Sequence, residues 1–376
     1  MFGNLFSDKE VNTGRQIEFD YSKGLFLFAI LFIHAFQVAG GGGGTNHTAY
    51  KTAFMILSLT GAPIFLFVLG LGTRYRSAST SAMAQTSMRL FVYQYLNNLA
   101  DLAAVTLPFF LLSLFKDMSA STERVRFFAD VNIIYINIFF LAGGIYLVLT
   151  LLSKLKTPVW LYAVLGIIIN IFSPGLIGIN TGFASVDYIL GGIFGGPPYA
   201  SFSILNYLPY TFFGIVFAEL LKRVTDKKRF YAISCSIAAV FLTAFLIWAF
   251  KKYSGFDSLY RYLGRTYTQP DFFRTIANTS AVVILAGVLY FLSSGIEKLK
   301  SVHSLLLYCS KHISKFYAVH GTFFFLAYGF FGYKPFSFWG CIVLFVLNIF
   351  YCNILVRSYN WLMERQTKPS NQAARQ

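Results

Sequence analysis

The chain has 376 residues, of which 56% are hydrophobic, 19% aromatic and only 12% charged, and its mean hydropathy is +0.60. A soluble domain carries roughly 25% charged residues, so the composition excludes an ordinary soluble globular protein. The formal net charge of +16 is spread as short Lys and Arg clusters between apolar runs, the pattern of membrane loops facing anionic headgroups and not of a nucleic-acid-binding face.

A helix needs roughly 20 apolar residues to cross a bilayer core. Runs of that kind predict helices over 22–40, 53–72, 89–115, 127–153, 158–173, 204–221, 230–250, 277–295, 314–332 and 336–357. The expected fold is therefore an all-α integral membrane protein, a bundle of about ten transmembrane helices with a polar central cavity. A cytoplasmic segment over 1–21 precedes the membrane domain at 22–358, and a cytoplasmic tail over 359–376 follows it. The polar start, with Lys9, Glu10, Arg15, Glu18, Asp20 and Lys23, lacks the short basic region and cleavage site of a signal peptide, so the first helix is expected to be retained.

Alternate loops should be rich in Lys and Arg if the helices are placed correctly. With the amino terminus inside, the inner loops carry Arg74, Arg76 and Arg89, then Lys154 and Lys156, then Lys222 to Arg229, then Lys298, Lys300 and Lys311. Two outer loops break the pattern, one with Lys116, Arg124 and Arg126, the other with Lys251, Lys252, Arg261, Arg265 and Arg274. The stretch from Ser173 to Ser203 is too broken by Gly and Pro for a spanning helix and is expected to be re-entrant or outside-facing. Cys235, Cys309, Cys341 and Cys352 show no close pairing and are read as packing residues, and no metal site is evident.

Ionisable residues within spans are costly and mark functional candidates. In the first helix Asp20 and Lys23 sit at the inner boundary, and His34 lies fourteen residues beyond Asp20, about 21 Å along the axis. A neutral imidazole there is suited to general-base work on a hydroxyl or amine nucleophile, or else to a hydrogen bond with a neighbouring carbonyl. His47, after the run of glycines at 40–44, is a second candidate base or a solvated loop residue. Arg74 and Arg76 suit a phosphate-bearing ligand such as coenzyme A, and equally satisfy the charge rule for an inner loop. Asn97, Asn98, Asp101, Asp130, Asn132 and Asn137 make an unusually polar interior, able to line a cavity or to bond between helices. Lys315 and His320 lie on or just before the ninth helix, and His312, eight residues before His320, shares the face of His320 if that helix starts early enough.

These segments together resemble the transmembrane acyltransferase superfamily, which includes acyltransferase-3 proteins and heparan-α-glucosaminide N-acetyltransferase-like proteins. The likeness rests on RQIEFDYSKGLFLFAILFIHAF with Arg15, Ile17, Asp20, Lys23, Gly24 and His34, and on PIFLFVLGLGTRYR with Pro63, Gly70, Arg74 and Arg76. YLPYTFFGIVFAELL with Pro209 and Gly214, and SKHISKFYAVHGTFFF with His320, extend it. Leu69 stands where acyltransferase-3 proteins often have Ser, and Arg-Tyr-Arg is a tighter spacing than is common. The resemblance implies acetyl-CoA, or another acyl-CoA, as donor and a sugar, glycan or glycolipid as acceptor. It also implies a bacterial-type plasma membrane location with both termini cytoplasmic. In its terms His34 or His47 would be the base or acyl relay, supported by Asp20, Lys23 and His320, with Arg74 and Arg76 on the donor phosphates; the glucosaminide branch favours His47. The competing expectation is a transporter or flippase for a sugar or glycolipid, with Asp101, Asp130 and His34 as ion or proton relays. The absence of visible inverted repeats disfavours it.

Overall fold

The computed structural model describes residues 5–114, 135–196, 202–332 and 335–367. Among the described residues the chain is helical, with only isolated bridges pairing Phe6 with Val224 and Gly40 with Phe336. The helices are α1 (Ile17–Ala39), α2 (Gly42–Thr45), α3 (Thr48–Leu57), α4 (Gly61–Tyr75), α5 (Thr80–Ser113), α6 (Ile138–Lys154), α7 (Val159–Phe172) and α8 (Ala184–Phe194). They continue with α9 (Ile204–Arg223), α10 (Lys227–Lys252), α11 (Phe256–Thr268), α12 (Phe272–Lys298), α13 (Lys300–Lys311), α14 (Ile313–Phe331) and α15 (Phe338–Thr367). Eight helical stretches among the described residues are long and apolar enough to cross a membrane, α3 and α4 forming one of them. The protein is thus a multi-pass, all-α membrane protein.

The first helix begins at Ile17, ahead of the predicted start at 22, because Glu18 and Asp20 are partnered inside the protein rather than left in water. Glu18 is buried against Lys227 at 3.0 Å and the Tyr231 hydroxyl at 2.7 Å. The predicted helix over 53–72 is broken between α3 and α4. Pro63 has no N–H to give the Leu59 carbonyl, and the Ser58 carbonyl accepts from Arg274 instead, at 2.9 Å. Of the predicted helix over 127–153 the described part is α6, which begins at Ile138; Asp130, Asn132, Lys116, Arg124 and Arg126 lie outside the described residues. Between Ser173 and Ser203 the chain makes a 3₁₀ turn at Ser173–Leu176 and the eleven-residue α8, as short as its glycines require. Two amphipathic helices, α11 and α13, have no spanning length and were not foreseen.

α1 is the axial helix. It packs against α4, α12, α13, α14 and α15, and fourteen of its 23 residues are buried. Its register is set where Gly24 meets the Leu306 carbonyl of α13, an approach that any Cβ would block. That contact brings Asp20 to Ser310, whose hydroxyl donates at 2.7 Å. Asp20 also holds Lys23 at 3.0 Å and pairs with Arg15.

α4 and α9 cross backbone to backbone, Gly70 against the Thr211 carbonyl and Gly214 against the Phe67 carbonyl. Small residues at such crossings let membrane helices approach closely. One turn on, the crossing sets Arg74 against Glu219. Gly70→Leu is expected to destabilise the protein by more than the ~1–3 kcal/mol typical of overpacking, because backbone and not a side-chain end must move. Thermal unfolding in detergent measures it, with Gly72→Ala as the control, since nothing lies within 4 Å of a Cβ there. An unchanged melting temperature for Gly70→Leu would dismiss this crossing.

Candidate active site

The far end of α1 meets α14 through two histidines. His34 Nδ1 lies 2.9 Å from His320 Nε2, with the rings 5.0 Å apart between centroids. His320 Nδ1 is 2.6 Å from the Tyr317 carbonyl of its own helix. A carbonyl only accepts, so His320 carries its proton on Nδ1 and presents the lone pair of Nε2. His34 must then donate from Nδ1, which leaves its Nε2 as an unprotonated acceptor in a neutral pair. His320 is buried while His34 is half-buried, so the free nitrogen belongs to the more accessible ring. The chain of bonds fixes both tautomers by geometry.

Asp101 on α5 stands on the other flank of α14. A Cβ at Gly321 would fall 3.2 Å from Asp101 Oδ1, so the glycine after His320 makes room for that carboxylate. Asn97 donates to Asp101 Oδ2 at 2.8 Å, and Oδ1 is buried without a hydrogen-bond partner. Tyr317 is within electrostatic reach of Asp101, Tyr135 and Tyr267. The neighbouring amides are structural. Gln94 accepts from the backbone N–H groups of Asn137 and Phe140 at 3.3 and 3.1 Å, and Asn98 donates to the Tyr135 carbonyl at 2.9 Å. Together they cap the start of α6 and tie it to α5.

No family model matches this chain, and neither a curated protein nor a solved structure matches it. Function therefore has to be argued from the site.

The other sequence-singled residues fall in different places. His47 caps α3, accepting from the Ala49 N–H at 3.3 Å, and its ring stacks on Phe338 at 4.1 Å. Asp20 and Lys23 form the ion cluster at the opposite end of α1 from His34 and join it to α13. His312 lies at the break between α13 and α14, off the face of His320, beside Tyr308 at 4.9 Å between centroids. Burial, with Lys315 and Lys311 nearby, lowers its pKa below the ordinary histidine value.

A cavity of about 470 Å³ opens at the end where α1 begins. Its wall includes Arg74, Lys156, Lys222, Ser153, Thr157 and Tyr162, with Glu10 from the segment before α1. Arg76 is exposed and does not line it. Arg74 pairs with Glu219, and Lys222 with Glu10 at 3.2 Å. Ser77 and Lys156, also in the wall, are non-glycine residues at positive φ, 46° and 51°. Backbone held in that region costs of order 1–3 kcal/mol and concentrates at functional sites. Lys156 and Lys222 were legible only as inner-loop charges; their convergence depends on α6, α7 and α9 meeting.

Proposed function

We propose that this protein is a membrane-embedded acyltransferase of the acyltransferase-3 and glucosaminide N-acetyltransferase kind. It moves an acyl group, foremost acetyl, from acyl-CoA to a hydroxyl or amine of a sugar or glycolipid. The observation that carries this reading is the tautomer-locked pair in which His320 directs the His34 proton to Nδ1 and frees Nε2. A base so oriented takes the proton of the acceptor nucleophile as it attacks the thioester carbonyl. The C–O or C–N bond forms, the C–S bond breaks, and the proton passes from His34 to the departing CoA thiolate. The basic cavity at the opposite end supports a phosphate-bearing donor. In this reading α6 and α14 complete about ten crossings, which place both termini in the cytoplasm, and the donor's arm runs inward toward His34.

The test is transfer of radiolabelled acetyl from acetyl-CoA by the purified protein in liposomes, beside calorimetric binding of acetyl-CoA. Saturable binding with label appearing on a glycan acceptor is expected. A folded sample that binds no acetyl-CoA sinks the reading. The unpartnered Asp101 oxygen against Gly321 favours a second one, a proton-coupled sugar transporter. That alternative requires proton flux that Asp101→Asn abolishes.

A further inference from the structure

Arg274, expected in an outer loop, is instead fully buried near the start of α12. Its Nη2 donates to the Ser58 carbonyl and hydroxyl at 2.9 and 2.8 Å. Nε and Nη1 are buried with no partner. Asp271 is within electrostatic reach, but its oxygens are taken by the Tyr262 hydroxyl at 3.0 Å and the backbone N–H of Arg274 at 2.8 Å. Leaving a buried guanidinium without an ion pair is costly, and a charge kept at that cost inside a membrane protein marks a ligand site.

What surrounds the guanidinium defines the ligand. Tyr207, Tyr210 and Tyr262 are within electrostatic reach of it. Asn278, one turn along α12, donates to the Tyr210 hydroxyl at 3.0 Å and has its Oδ1 unpartnered. Aromatic rings, an open amide oxygen and a free guanidinium edge are the groups that recognise a hydroxylated ring bearing an acid. The site also connects to the histidines. Tyr207 donates to the Tyr267 carbonyl, and Tyr267 is within reach of Tyr317, whose carbonyl holds His320. On its other side Tyr262 lines a cavity of about 320 Å³ together with Tyr253, Ser258 and the exposed Arg261 and Arg265.

We propose that Arg274 holds the carboxylate of an acidic sugar, admitted through the basic cavity of Arg261 and Arg265. This deepens the acyltransferase reading and rests on it for the ligand's role as acceptor. The outer-loop arginines that break the charge rule then have a use: they attract an anion to the end of the bundle where His34 lies.

The test is calorimetry of the full-length protein in detergent with D-glucuronate, its methyl ester, D-glucose and acetate, each with and without acetyl-CoA. Glucuronate is expected to bind at least tenfold more tightly than the ester or glucose, for want of the charge, and than acetate, for want of the hydroxyls. Equal affinity for glucuronate and its ester, or no binding of either, overturns the proposal without needing any variant. Arg274→Gln should lose the preference while retaining acetyl-CoA binding, and Arg274→Lys should keep part of it. Arg261→Gln with Arg265→Gln alters only exposed side chains and should weaken glucuronate several-fold at low salt and little at high salt; no change rules out the entry route. Failure of acetyl-CoA binding with glucuronate discrimination intact would strike the acyltransferase reading alone.

Discussion

His34→Gln is expected to slow acetyl transfer by about 10²–10⁴-fold, the usual contribution of a positioned general base, with the fold preserved. His34 is half-buried and makes one side-chain hydrogen bond, to His320. The companion substitution separates the two roles. His320→Ala removes the acceptor that keeps the His34 proton on Nδ1, so Nε2 loses its fixed lone pair and its orientation. Outer groups that fix the tautomer of a metal-bound histidine contribute about 10–100-fold, and a loss of that order is expected here. His320→Gln, whose amide oxygen can accept from His34 Nδ1, should recover part of it. His47→Ala should act on stability, by about 1 kcal/mol for a lost cap, and leave kcat within twofold. Full activity in His34→Gln, or a loss in His47→Ala as large as in His34→Gln, would move the base away from this pair. The measurement is kcat and KM for the purified variants with acetyl-CoA and one acceptor.

The residues of that pair were legible in the sequence, but their partnership was not. His34 and His320 are 286 positions apart, and what joins them is the packing of α1 on α14. The sequence shows its parts as apolar stretches without showing which faces meet. Gly24, Gly70 and Gly214 stood out in short motifs, and in the fold each marks a backbone contact that a side chain would prevent. The spans were legible because length and apolarity are local properties. The amphipathic α11 and α13 were not, since Arg261, Arg265, Lys300 and His303 on their more exposed sides break the linear run of apolar residues and read as loop in a search for spanning runs. The charge rule misread Arg274, counting as a loop cation a side chain the fold buries. It counted Lys51 as a loop residue, where the fold has it in α3, and gave no sign of Asp257, which lies 2.7 Å away and whose carboxyl Lys51 holds below its usual range. Polar residues in the third and fourth helices were read as lining a cavity or bonding between helices. In the fold Asn98, joined by Gln94, which did not stand out in the sequence, is spent on capping α6, while Asp101 keeps an oxygen free beside α14.

At the basic cavity lined by Arg74 and Lys156, stability and acetyl-CoA affinity should move in opposite directions. Lys156→Gly is expected to raise the melting temperature while weakening acetyl-CoA. The φ of Lys156 is 51°, a region that glycine enters freely and that costs an L-residue about 1 kcal/mol or more, so the substitution relieves strain. It also removes a cation from the cavity wall. A charge-assisted hydrogen bond to phosphate is worth roughly 1.5–3 kcal/mol, which is about tenfold or more in Kd. Ser77→Gly separates the terms, because it relieves the same strain at φ 46° without removing charge; it should stabilise the protein and leave Kd nearly unchanged. Arg74→Ala should weaken binding at least tenfold, whereas Arg76→Ala, outside the cavity, should change it less than threefold. The losses in Lys156→Gly and Arg74→Ala should shrink as salt rises, since exposed charge interactions are screened. Calorimetry at two ionic strengths with thermal unfolding of the same samples decides it. If Lys156→Gly and Ser77→Gly behave alike in both measurements, the strained backbone serves packing alone and the donor phosphates must be sought elsewhere.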